Sequence, residues 1–311
     1  MRAACVSAAL VVSAATLVAQ SPALEVVPVR GGISMVVGPG GNTTVQVGRD
    51  GALVVDTQTA AAAPDVLAAV RRLSELPVRF VINTGLDGDH VGGNKAIASS
   101  GQMLAGGNTR AATVYSSGGA PIYAHENVLK RLSGAAEGAA EGAASGWPTD
   151  TYFVAQKDMF VNGEPVQLMH MKAAHTDGDT VVVFRRMDVV STGDVFTPDR
   201  YPVIDLQRGG SINGLIDALN AILRITVPEF NQQGGTLVVP GHGRLSDEAD
   251  VAEYRDMVTI VRDRIQDMVK KGMTLEQVKA AKPTFDYDPL FGADKGAVFI
   301  EQIYRSLRNQ K

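Results

Sequence analysis

One cysteine, Cys5, and one tryptophan, Trp147, are all that 311 residues provide of those two types, and aromatic residues make up only 5% of the chain. A lone thiol forms no internal disulfide, zinc knuckle or iron–sulfur ligand set, so any metal must be held by histidine and carboxylate. Histidine itself is scarce, with five in all. There is no surplus of positive charge: 29 basic residues face 33 acidic ones, a formal net charge of −4. That balance removes the counterion-release drive toward phosphate backbones, and nucleic acid is not expected as a partner. What the chain does have is 45% hydrophobic and 20% charged residues, enough apolar content to bury a core and too little charge for a disordered chain.

Residues 1–20 read apart from the rest. Arg2 precedes an apolar run over 3–18 that is rich in Ala and Ser, and small residues follow at Ala19 and Ala23. This is the layout of a secretory signal peptide, and the run is too short and too small-residue-rich for a comfortable membrane span. Export to the periplasm or the exterior is therefore expected, with no membrane span in the mature chain. Its removal takes away Arg2 and Cys5, leaving a slightly more acidic, cysteine-free protein suited to an oxidising compartment.

In the remainder, residues 21–311, alternating apolar stretches over 32–37, 43–47 and 52–55, broken by Gly38-Pro39-Gly40-Gly41 and Arg49-Asp50-Gly51, predict β-hairpins. A helix over 61–76, with Val66, Val70 and Leu73 on one face, precedes a buried strand over 78–83. Further strands are expected at 102–104, 166–171, 180–185, 189–192 and 237–239, and helices at 94–99, 125–132, 212–223, 248–271, 274–281 and 295–308. Strands interrupted by helices without a long polar linker predict one α/β domain of sheets covered by helices, closed by a helical tail. Residues 134–145, where Gly-Ala-Ala-Glu recurs, read as a loop with fraying helical content, and a lid over the site is the alternative.

Four segments place an acid or histidine just after an apolar strand: Asn83-Thr84-Gly85-Leu86-Asp87-Gly88-Asp89-His90, Ala174-His175-Thr176-Asp177-Gly178-Asp179, Thr192-Gly193-Asp194 and Pro240-Gly241-His242-Gly243. Glycine-flanked strand ends let the backbone turn sharply and aim side chains at a common point. One such segment is an ordinary cap or Asx turn; four in this order are hard to explain that way.

Together these segments resemble the metallo-β-lactamase fold superfamily, whose hallmark is His-x-His-x-Asp-His after a strand, then isolated His, Asp and His at later strand ends. Ala124-His125-Glu126-Asn127, Arg200-Tyr201-Pro202-Val203-Ile204-Asp205 and Gly209-Gly210-Ser211-Ile212-Asn213-Gly214 extend the resemblance toward its periplasmic cyclase-like or SoxH-like metallo-hydrolase branch. The resemblance implies a four-layer αβ/βα sandwich with metals at one edge between the sheets. It also implies two ligand sets: Asp89, His90 and His242 in one, His175 in the other, and Asp194 as a bridging carboxylate.

The sequence departs from the hallmark at its two leading histidines, where Gly85 and Asp87 stand instead. Three protein ligands plus water is the minimum for a catalytic zinc, so the Asp89 set suffices on count. The other set has Asp87 in place of one histidine and nothing at Gly85; its zinc affinity should fall, and its oxygen content would tilt it toward Mn2+, Mg2+ or Fe2+. One or two Zn2+ ions are thus the expected cofactor. His125 and His170 fall outside the hallmark, as a helix-start residue and a strand side chain. Asp56, at the end of a strand, is expected to support a ligating histidine, with a helix-region cap as the competing role. Asp177 and Asp179 are expected to organise their own turn, residues 201–205 and 209–211 to border the substrate cleft, and Ser211 equally to cap the next helix.

The function this predicts is an exported hydrolase in which water activated by the metal, oriented by Asp89, attacks an ester, lactone or amide-like small molecule. A β-lactamase is one member of that class, but fold does not determine substrate. Loss of two neighbouring ligands equally suits a catalytically silent binding protein, and metal content separates the two.

Overall fold

Runs of Val, Ile and Leu too short for helices pair into two sheets in the computed structural model, which describes residues 24–103, 119–135, 146–230 and 233–309. The expected signal segment, residues 1–20, and nearly all of the Gly/Ala stretch lie outside the described residues. The first sheet has seven strands in chain order, β1 (Glu25–Arg30), β2 (Ile33–Gly38), β3 (Gly41–Gly48), β4 (Gly51–Val55), β5 (Val78–Ile82), β6 (Ile122–His125) and β7 (Asp150–Tyr152). The second runs β13 (Ser246–Asp247), β12 (Leu237–Val239), β11 (Val189–Ser191), β10 (Asp179–Phe184), β9 (Glu164–Met171), β8 (Gln156–Val161).

Period-2 alternation decides what each face covers. Leu53, Val55 and Ile82 point inward and meet Leu168, Val182 and Phe184 of the second sheet. Their neighbours Val54 and Val81 point outward against α1 (Ala63–Leu73) and α3 (Asn94–Ser99), burying Val66, Val70 and Ile97. On the far side Val181, Val183 and Val190 pack under α5 (Ile212–Ile225), α6 (Glu248–Lys270) and, after the short α7 (Leu275–Ala280) and α8 (Asp288–Phe291), the C-terminal α9 (Ala293–Asn309), through Leu215, Leu219, Val258, Val261, Phe299 and Ile303. Helix, sheet, sheet, helix is the four-layer αβ/βα order expected from the resemblance. Among the described residues no helix is long and apolar enough to cross a membrane.

Several local expectations shift. No strand forms at Gln102 and Met103, while β6, β7 and β8 were not foreseen. The helix expected over 125–132 is α4 (Glu126–Ala135), so His125 closes β6 instead of opening the helix. A one-turn helix, α2 (Gly88–Val91), carries Asp89 and His90.

The topology gathers the four chemistry-bearing segments at one edge. β10 is antiparallel to both β9 and β11, and β12 is parallel to β11, so the β9–β10 turn and the exits of β11 and β12 share an end. The exits of the parallel strands β4 and β5 meet it from the first sheet.

Candidate metal centre

Each side chain is placed by a local device. Asp56 leaves β4 with φ 61°, and its Oδ1 accepts from Thr84 N at 2.8 Å while its Oδ2 accepts from Thr84 Oγ1 at 2.5 Å and lies 2.7 Å from His90 Nδ1. That carboxylate fixes a proton on His90 Nδ1 and turns Nε2 toward the sheet edge, where the neutral ring offers its lone pair. Asp56 caps no helix: α1 has Ala62 at its N-cap, without a side-chain bond. His242 sits on a loop clamped by Asn42, whose Nδ2 donates to Pro240 O at 3.0 Å and Gly243 O at 2.9 Å. Residue 241 must be glycine, because a Cβ there would lie 2.6 Å from Asp194 Oδ1. Asp194 follows β11 on a single 3-10 turn.

Two groups result. Ligand-type atoms of Asp89, His90 and His242 converge within 4.8 Å of one another, and so do those of Asp87, His175 and Asp194. Asp194 faces both: Oδ1 is 3.2 Å from His90 Nε2 and 3.5 Å from His242 Nε2, while Oδ2 is 3.9 Å from His175 Nε2. His242 Nε2 is 3.2 Å from Asp89 Oδ2. Atoms held about 2.0–2.1 Å from a tetrahedral centre stand about 3.3 Å apart, so these spacings fit a shared cation. His90 Nε2 and Asp194 Oδ1 are buried without a hydrogen-bond partner. A buried imidazole nitrogen and a buried carboxylate oxygen facing each other need a positive charge between them, a proton or a metal ion.

The same carboxylates favour positive charge at this point whether a proton or a metal ion supplies it. Burial opposes charge on His90, yet Asp194 and Asp56 outweigh it and hold the imidazole well above its ordinary value. Burial would raise the Asp194 carboxyl, but His90, His175 and His242 hold it far below the usual range. The hydrogen bond from His242 lowers Asp89.

The Asp87 group is built differently. His175 Nε2 is 2.8 Å from Asp87 Oδ2, a hydrogen bond, and its Nδ1 donates to Val203 O at 2.8 Å. Arg208 Nη1 donates to Asp87 Oδ1. Burial opposes charge on His175, but Asp87, Asp179 and Asp194 push it up to about 10. Gly85 stands in open space, with nothing within 4 Å of where its Cβ would be.

A cleft of about 370 Å3 opens over both groups, lined by Asp87, Asp89, His175, Asp194, His242 and, beyond them, Arg200, Val203, Asp205 and Arg208. Val203 and Asp205 stand where the sequence put the cleft border; Tyr201 instead is buried, its hydroxyl donating to Asp288 Oδ1 at 2.9 Å. Ser211 caps α5, its Oγ accepting from Gly214 N at 3.0 Å. Asp179 organises its turn through Thr176 N at 2.8 Å and Oγ1 at 2.6 Å, whereas Asp177 takes both oxygens to Arg131. His125 and His170 join neither group and stack on one another. Sequence reasoning missed Asn42 and Arg208, whose local signals were the Gly40-Gly41-Asn42 turn and the glycines after Arg208, and it quoted Arg200 only within the stretch carrying the resemblance, without a place on the cleft.

A four-layer sandwich with two carboxylate–histidine groups at the shared edge of its sheets marks a candidate metalloprotein. The chain belongs to the metallo-beta-lactamase superfamily, which it matches over residues 36–252. No curated protein matches it. Among solved structures it is similar to the stereoselective inverting sec-alkylsulfatase Pisa1 from Pseudomonas sp., at 16% identity and TM-score 0.66, over 91% of this chain and 50% of that one. It thus spans about half the length of that protein. It is also similar to a metallo-beta-lactamase from Pontibacter korlensis, at 15% identity and TM-score 0.54, over 76% of this chain and 99% of that one. The DIM-1 metallo-beta-lactamase aligns at 16% identity and TM-score 0.55, over 76% and 98%. At these identities the likeness is one of fold.

Proposed function

We propose that the chain is a metal-dependent hydrolase that holds a divalent cation, Zn2+ by preference, between Asp89, His90 and His242, with Asp194 bridging toward Asp87 and His175. The observation that carries this reading is the orphaned pair, His90 Nε2 and Asp194 Oδ1, buried 3.2 Å apart with His242 and Asp89 at matching spacing. When bound, the cation supplies Lewis acidity, bringing the deprotonation of a water near neutral pH and polarising an electrophile. Asp89, with its side chain 34% exposed on the cleft wall, accepts the hydrogen bond that orients the attacking water. Asp56 keeps His90 in its ligating tautomer, and Asn42 keeps His242 on the same point.

The cleft suits a small molecule carrying an ester, lactone or amide-like bond, β-lactams among them. A second ion at Asp87, His175 and Asp194 would be weak, and Mn2+ or Fe2+ would suit its oxygen content better than zinc. Export to the periplasm or the exterior belongs to the same reading and rests on the layout of residues 1–20.

Metal content is the decisive test. The purified chain, exposed to Zn2+ or Mn2+ and desalted, should retain about one equivalent, and His90→Ala should lose that metal together with turnover of an ester, lactone and lactam panel. Retention below about a tenth of an equivalent of either metal favours a silent binding protein instead. Unchanged turnover in His90→Ala would place any activity elsewhere.

A further inference from the structure

The two groups differ in what they leave unsatisfied. In the Asp89 group a buried imidazole nitrogen faces a buried carboxylate oxygen with no partner for either. In the Asp87 group the two residues that belong to it alone are satisfied: Asp87 gives Oδ2 to His175 and Oδ1 to the Arg208 guanidinium, and the far nitrogen of His175 is bonded to the Val203 carbonyl, while the shared Asp194 holds Oδ2 3.9 Å from His175 Nε2. Arg208 is itself fixed. Its Nε lies 3.3 Å from Asp205 Oδ2, and Asp205 Oδ1 accepts from the backbone N–H groups of Gln207 and Arg208 at 3.0 and 2.9 Å, pinning the turn that carries the arginine. A planar guanidinium that never loses its proton is well matched to this place between two carboxylates.

We infer that Arg208 is the resident cation of the Asp87 group, taking the place of a second metal ion, confining the centre to a single ion and keeping a fixed positive charge on the cleft wall. The sequence change and the structure agree in sense. Where Gly85 offers no side chain and Asp87 replaces an imidazole, an added negative charge needs a counterion, and Arg208 reaches it from the other sheet's side of the cleft. A metal entering that group would have to displace the guanidinium from Asp87 and then sit beside its charge.

The arginine also has capacity to act on a substrate. Its side chain is 40% exposed and lines the cleft with Asp89 and His242, and its Nη2 makes no hydrogen bond among the described residues. The other cleft arginine, Arg200, commits both Nε and Nη2 to Asp199 at 2.8 Å. Arg208 Nη2 is therefore positioned as a charged donor to a substrate oxygen on which negative charge develops, a task that a second ion would otherwise perform.

This inference rests on the proposed cation in the Asp89 group, and one metal titration separates the two. Binding of Zn2+ and of Mn2+ is followed by isothermal titration and by metal analysis after desalting, with circular dichroism confirming the fold. The wild-type chain and Arg208→Lys, which keeps the charge, should each bind about one equivalent. Arg208→Ala should bind the first equivalent with unchanged affinity and gain a second, weaker one, because Asp87 and His175 are then released to a metal. Two equivalents in the wild-type chain, or a single equivalent in both the wild-type chain and Arg208→Ala, overturns the role of Arg208 while leaving the hydrolase reading intact. No bound metal in the wild-type chain overturns that reading, and this one with it.

Discussion

Asp56 concentrates the physics of the centre in one residue. It holds a left-handed backbone at φ 61°, a conformation that costs a non-glycine residue about 1 kcal/mol and persists only where the surroundings enforce it. Here the enforcement comes from Thr84, through its N–H and its hydroxyl, and from His90. Asparagine tolerates the same backbone, so Asp56→Asn removes the negative charge while sparing the turn. With no anion behind it, His90 becomes a poorer ligand and its ring is free to take the other tautomer. Metal affinity, measured by competition with a chelator, should fall about 10- to 100-fold with the circular dichroism spectrum unchanged. Unaltered affinity would mean that Asp56 does no more than hold the loop. Arg208 is the opposite case for legibility: Asp56 announces itself by ending a strand, whereas nothing near Arg208 in sequence points to Asp87, 121 positions away.

Elements were legible where the signal is local. The hairpins of the first sheet, α1, α5, α6 and α9 follow from alternation or helical periodicity, and the four glycine-flanked strand exits carried the candidate site because each holds its chemistry within a few residues. The short strands β6 and β7, of four and three residues, gave too few positions for a period, and they exist because neighbouring strands pair with them. The same limit hid the contact between His125, ending β6, and His170, on β9. Read singly they are a helix-start residue and a strand side chain; folded, their rings stack at 3.6 Å and 9°, with Tyr152 edge-on to His125 at 5.3 Å. Burial and the neighbouring His170 push His125 down to about 4, Lys130 adding to them and Glu126 and Asp177 opposing. Because the folded value lies below the usual 6.5, the unfolded chain binds the extra proton between about pH 6.5 and 4, and stability drains away as pH falls through that window. His125→Gln removes that titration. Melting temperatures recorded from pH 4 to 7 should drop more steeply for the wild-type chain than for the variant, and parallel profiles would refute the role of the stack.

At the scale of the molecule, the candidate centre joins the two sheets. Asp89 and His90 arrive from the exit of β5 in the first sheet, while His175, Asp194 and His242 arrive from turns of the second. Besides the apolar layer between the sheets, the Asn42 clamp, the Thr44–Ser191 and Tyr152–Thr180 hydrogen bonds and the His125–His170 stack, this edge brings ionisable side chains of both sheets onto one point. An ion bound there by residues of both sheets cannot persist when the sheets separate, so its binding free energy adds to the free energy of unfolding. With free metal at about a hundred times its dissociation constant the gain is about 2.7 kcal/mol, which for a chain of this size corresponds to a rise of roughly 4 °C in melting temperature. Scanning calorimetry with Zn2+ and then with excess chelator measures it directly. His242→Ala removes the second sheet's ligand from the Asp89 group and should abolish most of the rise, even though Asp89 and His90 remain. If the ion binds stoichiometrically and the melting temperature does not move, the edge must open independently of the core, and the centre would be a locally mobile site on a fold that stands without it.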